Sequence, residues 1–173
     1  MNKIDIIICL LPNVFMIHDF EEIIGFKTWF EKNGAWLDEK FPMLKKQVQS
    51  LKHLSVQAFT VAVLEEYLII NIITLTALIF HWYDVWIAIF MAYSFHIVIH
   101  IVQWIIIRRY IPMIITSLLS IPYIIWSINS IICSFKAIEI VAYLIVGIFV
   151  AFLNLFFAHK LAYKFDMYLN NKL

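Results

Sequence analysis

Five long apolar stretches constrain this 173-residue chain more than any other feature of its sequence. A helix that crosses a bilayer needs about 20 mostly apolar residues, and helices satisfy every backbone hydrogen bond in lipid without a second chain segment. The stretches are Ile4–Phe26, Ser55–Phe80, Val85–Ile107, Ile111–Cys133 and Ala137–Ala158. They predict an all-α integral membrane protein, a bundle of five transmembrane helices that forms one domain over residues 1–173 of a multi-pass cell-membrane protein.

The composition agrees with a chain that has the lipid bilayer as its main partner. Hydrophobic residues make up 64% of the chain and charged residues only 14%, whereas soluble domains carry about 25% charged residues. The net charge of +1 gives no basic excess, so we expect no nucleic-acid partner. The two cysteines have no CxxC spacing, which excludes a disulfide scaffold. A homo-oligomer is compatible with these data, which fix no oligomeric state.

The first apolar stretch is interrupted by polar residues in its second half. Its uninterrupted part ends at Ile17, and His18, Asp19, Glu21 and Glu22 follow. A segment of this kind either crosses the bilayer with its polar side facing protein or enters it without crossing. The second alternative would leave four transmembrane helices instead of five.

The basic residues predict the orientation of the bundle. Eleven of the 13 lysines and arginines fall in the loops after the first and third stretches and in the carboxyl-terminal tail. The other two, Lys3 and Lys136, fall on the opposite side. Because basic residues concentrate in cytoplasmic loops, this pattern places the N-terminus outside and the C-terminus in the cytoplasm.

One long connection, residues 27–54, joins the first two stretches. It mixes aromatic side chains with lysines, a composition typical of segments that lie in the headgroup layer. Asn33 and Gly34 predict a turn, and Pro42 predicts a break before a helical segment. We interpret the connection as an interfacial connector with aromatic anchors; a lid over a site is the alternative.

Several ionisable residues lie inside the apolar stretches, where each costs roughly 2.5–3.5 kcal/mol on insertion scales. At 100° per residue, His18, Glu21 and Glu22 share an arc about 100° wide on one helix. His96 and His100 lie one turn apart on the third stretch, a spacing that suits metal chelation.

The second and fourth stretches add further polar groups. Glu65 and Glu66 are adjacent on the second stretch and point about 100° apart, so one of them faces the bundle centre and the other flanks it. Gln103 falls on the same face as the histidine pair. The fourth stretch carries a stripe of hydroxyls, including Thr116 and Ser120, that is typical of helix packing.

These groups are predicted to lie at a similar depth in the membrane. Counted from the predicted cytoplasmic ends at about 1.5 Å per residue, the histidines and glutamates lie roughly 6–16 Å deep. No lysine or arginine accompanies them. A bound cation would compensate their negative charge; the alternative is a hydrogen-bonded cluster that holds the helices together.

The string His18-Asp19-Phe20-Glu21-Glu22, inside an apolar segment of a small helical membrane protein, resembles the HXXEE-domain family. That family takes its name from the His-x-x-Glu-Glu pattern. The resemblance implies a membrane protein in which His18, Glu21 and Glu22 matter, and it assigns no reaction.

The spacing and depth of these groups predict an intramembrane site for a divalent metal, with one or two ions of iron, zinc or manganese. The expected metal ligands are His18, Glu22, Glu65, His96 and His100. The expected catalytic carboxylates are Glu21 and Glu66, and Glu21 would either bridge two metal ions or contact a metal ligand. Two metals would suit a lipid-directed oxidation, whereas one zinc ion would suit hydrolysis.

We therefore expect a metal-dependent membrane oxidoreductase or hydrolase with a lipid or other apolar substrate. Two alternatives come from different functional classes. A proton-coupled transporter would use Glu65, Glu66 and His96 as titrating groups, and broken helices would favour it. A non-catalytic scaffold would use the polar cluster only for packing.

Overall fold

The computed structural model describes residues 3–132 and 135–172, and all regular structure in this part of the chain is helical. The α-helices are α1 (Lys3–Lys40), α2 (Lys45–His53), α3 (Val56–Phe80), α4 (Tyr83–Ile107), α5 (Ile114–Ile132) and α6 (Ala137–Lys172). A short 3-10 helix, Pro42–Leu44, joins α1 to α2. The all-α prediction is confirmed. The predicted end of the fourth stretch at Cys133 lies outside the described residues.

Four of the described helices, α3 to α6, are long and apolar enough to cross a membrane. They correspond to the second to fifth apolar stretches of the sequence and indicate a membrane protein. Helix α1 is not among them, because His18, Asp19, Glu21 and Glu22 interrupt its apolar surface. A fifth crossing by α1 and the orientation of the bundle remain predictions.

Helix α1 runs without interruption for 38 residues, or about 57 Å. The predicted turn at Asn33 and Gly34 is therefore wrong. Gly34 is buried where α1 packs against α2, and a Cβ on it would lie 3.7 Å from the Lys52 side chain. This packing outweighs the cost of about 1 kcal/mol that glycine carries inside a helix. The predicted break is confirmed, since α1 ends at Lys40 and Pro42 begins the 3-10 helix.

Helices α1, α3, α4 and α5 enclose the main apolar core. Ile8 and Leu11 of α1 and Phe90 of α4 are fully buried in it. Helix α6 lies against α3 and α4 and exposes most of its remaining surface. It approaches α4 so closely that a Cβ on Gly147 would overlap the backbone carbonyl of Ala88. The segments of α1, α4 and α5 that carry polar side chains meet inside the bundle.

Candidate metal centre

Helix α4 supplies two histidines to the centre of the bundle. His96 and His100 lie one turn apart, and their Nε2 atoms are 2.7 Å from each other. The Nδ1 atom of His100 lies 3.0 Å from Oε1 of Gln103, the residue predicted on the same face. An amide oxygen only accepts hydrogen bonds, so His100 carries its proton on Nδ1 and presents the lone pair of Nε2 to His96.

Helix α1 brings a third imidazole to this pair. The ring of His18 is fully buried, and its centroid lies 5.4 Å from the His96 ring and 5.2 Å from the His100 ring. Glu22 follows one turn later on the same face of α1. Each of these four residues offers one ligand atom, and the four atoms all lie within 4.8 Å of one another. Three imidazoles and a carboxylate thus converge on one point.

Glu21, the other glutamate of α1 near His18, is not part of this group of four and binds α5. Its carboxylate accepts hydrogen bonds from the Thr116 backbone N–H at 2.8 Å and from the Thr116 hydroxyl at 2.6 Å. It also accepts the hydroxyl proton of Tyr110 at 2.9 Å and, more weakly, the N–H of Ile115. Backbone N–H groups in the first turn of a helix lack intrahelical partners. Glu21 therefore caps α5 from a neighbouring helix.

Tyr110 lies in the loop between α4 and α5, beside this cap. Burial raises the pKa of its phenol, and the hydrogen bond to the Glu21 carboxylate raises it further. The hydroxyl therefore stays protonated at neutral pH and remains a donor to Glu21.

The Thr116 hydroxyl links Glu21 to His18. Because it gives its one proton to Glu21, its oxygen acts as the acceptor for the Nδ1–H of His18, 3.2 Å away. The neutral imidazole then carries a lone pair on Nε2. That atom is buried and has no hydrogen-bond partner among the described residues. An unpartnered buried nitrogen is costly, and here it faces two further imidazoles and a carboxylate. Such a donor set fits a metal ion.

The chain matches a known family over most of this arrangement. A family model described as "Protein of unknown function with HXXEE motif" matches residues 9–127. The chain belongs to the HXXEE family. The matched segment of this HXXEE protein contains all the residues of the centre, from His18 to Thr116, and ends within α5 before α6. The chain matches no curated protein and no solved structure.

The two glutamates of α3 point in different directions. Glu65 accepts a hydrogen bond from Asn154 of α6 at 3.2 Å and is not part of the four-residue group. Glu66 lies within electrostatic range of Glu22 and lines a cavity that His96 also lines. The structure thus brings together four of the five predicted ligands, places Glu65 apart from them, and sets Glu66 beside them.

Two residues near the centre were overlooked in the sequence. Asp19 is only 4% exposed, its Oδ2 atom has no partner among the described residues, and it lies within electrostatic range of Glu22 and Glu66. Its position inside an apolar stretch was the available signal. Thr116 was assigned to helix packing, and nothing in its sequence context distinguishes it from the neighbouring serines.

A cavity of about 310 Å³ borders the centre in this HXXEE protein, between α3, α4 and α6. Glu66 and His96 lie on its wall, and most of the remaining lining is aliphatic or aromatic, including Ile69, Ile99 and Ala151. Its volume is at the lower end of the range of ligand pockets, about 300–1,000 Å³. The cavity can hold an apolar group against Glu66 and His96.

In the part of the chain that the structure describes, no lysine or arginine forms a salt bridge with an acid of the centre. Among the described residues, Lys27 forms a salt bridge with Glu31, and neither residue belongs to the centre. Glu22 and Glu66 therefore lie near each other and near Asp19 without a cationic partner from the protein. The electrostatics of the centre favour a bound cation.

Proposed function

We propose that His18, Glu22, His96 and His100 bind one divalent metal ion, and that the protein is a membrane metalloenzyme with a lipid or other apolar substrate. The observation that carries this proposal is the convergence of four ligand atoms within 4.8 Å of one another. Bonds from nitrogen or oxygen to zinc are about 2.0–2.2 Å long, so small side-chain rotations suffice to close the four atoms around a single ion.

The protonation pattern of the histidines supports a metal site over a packing cluster. The Nε2 atoms of His96 and His100 are 2.7 Å apart, so at most one of them carries a proton. The Nε2 atom of His18 has no partner at all among the described residues. A packing cluster would leave the Nε2 atom of His18 unpaired at a cost in stability, whereas a metal ion would bind it.

Hydrogen bonds already engage Glu21 and Glu65, two of the carboxylates that a second ion could have used. Glu21 is occupied by Thr116 and Tyr110, and Glu65 is held by Asn154. Neither carboxylate is free to bridge to a second metal. Three imidazoles with one carboxylate suit zinc, iron or manganese. When bound, the ion would supply a Lewis acid next to the apolar cavity.

The protein side chains around the ion would divide the remaining tasks. Glu66 shares the cavity wall with His96, so we assign it the role of proton acceptor or donor toward a bound substrate. Thr116 and Glu21 position His18 and do not touch the cavity. The aliphatic lining excludes water and selects an apolar reactant. A hydrolase and an oxidoreductase both fit this arrangement, and the metal identity will separate them.

We also propose that α1 is the fifth transmembrane helix of a cell-membrane protein, with the N-terminus outside and the C-terminus in the cytoplasm. The distribution of lysine and arginine supports this orientation. It places the metal centre in the cytoplasmic half of the bilayer. Residues 27–54, which include the end of α1 and all of α2, would then lie on the cytoplasmic side of the membrane.

Transport has less support than catalysis. Carriers commonly bind their substrates at discontinuous helices. In the described part of the chain, Pro12 and Pro122 both lie within continuous helices. We therefore keep the scaffold as the main alternative to the enzyme, and the experiment below separates the two.

The decisive experiment is elemental analysis of the detergent-purified protein, alongside His100→Ala and a His53→Ala control. His53 is exposed at the end of α2 and lies outside the centre. We expect about one metal ion per chain in the wild type and in the control, and a stoichiometric loss in His100→Ala. A folded wild-type protein without metal after incubation with zinc, iron and manganese salts would leave the scaffold as the function.

A further inference from the structure

A second cavity, of about 550 Å³, lies between the carboxyl-terminal ends of α1 and α4, away from the metal centre. Helix α1 contributes Trp36 and Lys40 to its wall, and the end of α4 contributes Arg108 and Arg109 together with the isoleucines at 105, 106 and 107. One side of the cavity is therefore basic and the other is aliphatic.

The charge of this cavity is not compensated by the protein. None of its lining residues is acidic, and Lys40, Arg108 and Arg109 form no salt bridge within the described residues. The guanidinium of Arg109 is stacked 3.9 Å above the centre of the Trp36 ring, which restricts its motion and holds its N–H donors in one plane. Three cations with one of them fixed in place are suited to bind a phosphate.

The aliphatic side of the cavity points to a lipid instead of a soluble anion. The side chains of Ile105 and Ile106 are 58% and 56% exposed, immediately before the two arginines. An apolar surface that adjoins a basic pocket at the end of a membrane helix is matched by a molecule with a phosphate headgroup and acyl chains. A free phosphate ion would contact only the basic side of the cavity, whereas a phospholipid contacts both sides.

We propose that this cavity binds the headgroup of an anionic phospholipid, with the phosphate at Arg108, Arg109 and Lys40 and an acyl chain along Ile105 and Ile106. The cavity lies on the side of the bundle that the basic residues assign to the cytoplasm, where anionic lipids attract such clusters. The site shares no residue with the metal centre, so either proposal can fail without the other.

Native mass spectrometry of the full-length protein in detergent tests this site. The protein is titrated with phosphatidylglycerol and with phosphatidylcholine of the same acyl chains. The test variant is Arg108→Gln/Arg109→Gln, and the matched control is Lys160→Gln/Lys164→Gln, which removes two charges from exposed positions on α6. Lys40→Gln, a single change at an exposed helix end, serves as a second test variant.

We expect the wild type and the control to bind phosphatidylglycerol at least tenfold more tightly than phosphatidylcholine. The double arginine variant should lose this preference, and Lys40→Gln should weaken phosphatidylglycerol binding about fivefold, because each basic residue near the surface contributes about 1 kcal/mol. Equal binding of the two lipids by the wild type, or an unchanged preference in both test variants, would overturn the proposal. Inorganic phosphate that binds as tightly as phosphatidylglycerol would also overturn it, since the acyl chain would then add nothing and a free anion would be the occupant.

Discussion

The hydroxyl of Thr116 has one proton, and the direction in which it is donated fixes the chemistry of His18. The Glu21 carboxylate is the nearest acceptor, at 2.6 Å, whereas the backbone carbonyls of His18 and Met113 lie 3.4 Å away. Glu21 accepts the proton, so the hydroxyl oxygen can only accept from His18 Nδ1. The histidine and the two glutamates of the HXXEE motif in this chain would then divide two tasks between them. His18 and Glu22 would bind the metal, whereas Glu21 orients His18 through Thr116 and anchors α1 to α5.

Replacing Thr116 tests this division of tasks. Thr116→Val keeps the shape of the side chain and removes the hydroxyl, so His18 loses the acceptor that sets its tautomer. We expect the metal affinity, measured by competition with a chelator, to fall about 10–100-fold. Thr116→Ser keeps the hydroxyl and should retain affinity near that of the wild type. Equal affinities for the valine and serine variants would show that the hydroxyl does not act on His18.

Glu22, a proposed ligand, and Glu65, which lies outside the ligand set, offer a matched comparison. Glu22→Gln removes a ligand charge at constant size, so we expect the metal affinity to fall by more than about tenfold. Glu65→Gln makes the same chemical change at a residue that hydrogen-bonds Asn154 outside the group, and metal content should not change. Loss of metal from Glu65→Gln alone would place Glu65 in the ligand set and contradict the geometry.

For individual residues, the sequence was sufficient to predict which side chains lie close together. It was less informative about the direction in which each side chain points. The spacing of His96 and His100 and the position of His18 were sufficient to predict that the imidazoles come together. The directions of the Glu65 and Glu66 side chains could not be predicted. Side chains of adjacent residues on a helix point about 100° apart, and the rotation of α3 about its axis depends on its contacts with α1 and α6. Hydrogen bonds between helices, such as that from Thr116 to Glu21, leave no sequence pattern.

At the scale of the elements, the apolar stretches located α3, α4 and the start of α6 within a few residues. The sequence failed in the polar half of α1, where Asn33 and Gly34 predicted a turn. The helix continues because α2 packs against it: Gly34 is buried there, and Lys27 Nζ donates to the backbone carbonyl of Lys52 at 2.7 Å. Local propensity cannot anticipate a helix that is stabilised by a neighbour from later in the chain.

Two glycines in helix interiors should respond to alanine in opposite directions. Gly147→Ala places a methyl group against the Ala88 carbonyl where α6 meets α4, so the helices must separate. We expect a loss of about 1–3 kcal/mol in stability. Gly34→Ala meets the Lys52 side chain at an ordinary contact distance of 3.7 Å. It should be neutral or stabilise the protein by up to about 1 kcal/mol through better helix propensity.

Thermal unfolding of both variants in the same detergent measures this difference. The expected result is a lower midpoint for Gly147→Ala and an equal or higher midpoint for Gly34→Ala. If Gly147→Ala unfolds at the wild-type temperature, then α4 and α6 do not approach each other as closely as described here.

For the molecule as a whole, the number of membrane crossings determines on which sides the two ends lie. Five crossings, with α1 included, place residues 3 and 171 on opposite sides, whereas four crossings place them on the same side. Lys3 and Asn171 are both exposed, so cysteines introduced there are accessible to reagents. The distribution of basic residues predicts that residue 3 lies outside.

Single-cysteine labelling tests the topology directly. Lys3→Cys and Asn171→Cys are placed separately in a Cys9→Ser/Cys133→Ser background, and intact cells are treated with a membrane-impermeant maleimide. We expect labelling at position 3 and none at position 171, with both positions labelled after permeabilisation. Identical labelling of the two positions in intact cells would show that α1 enters the bilayer without crossing it.

The contact between α1 and α5 also has a consequence for biosynthesis. His18 and Thr116 are 98 positions apart in the chain, so α1 leaves the ribosome long before the helix that completes its polar face has been made. During that interval Glu21 has no hydrogen-bond partner from α5, which is unfavourable for a carboxylate in lipid. Chains that stop before residue 116 would therefore carry an unshielded polar helix, and we expect cellular quality control to degrade them.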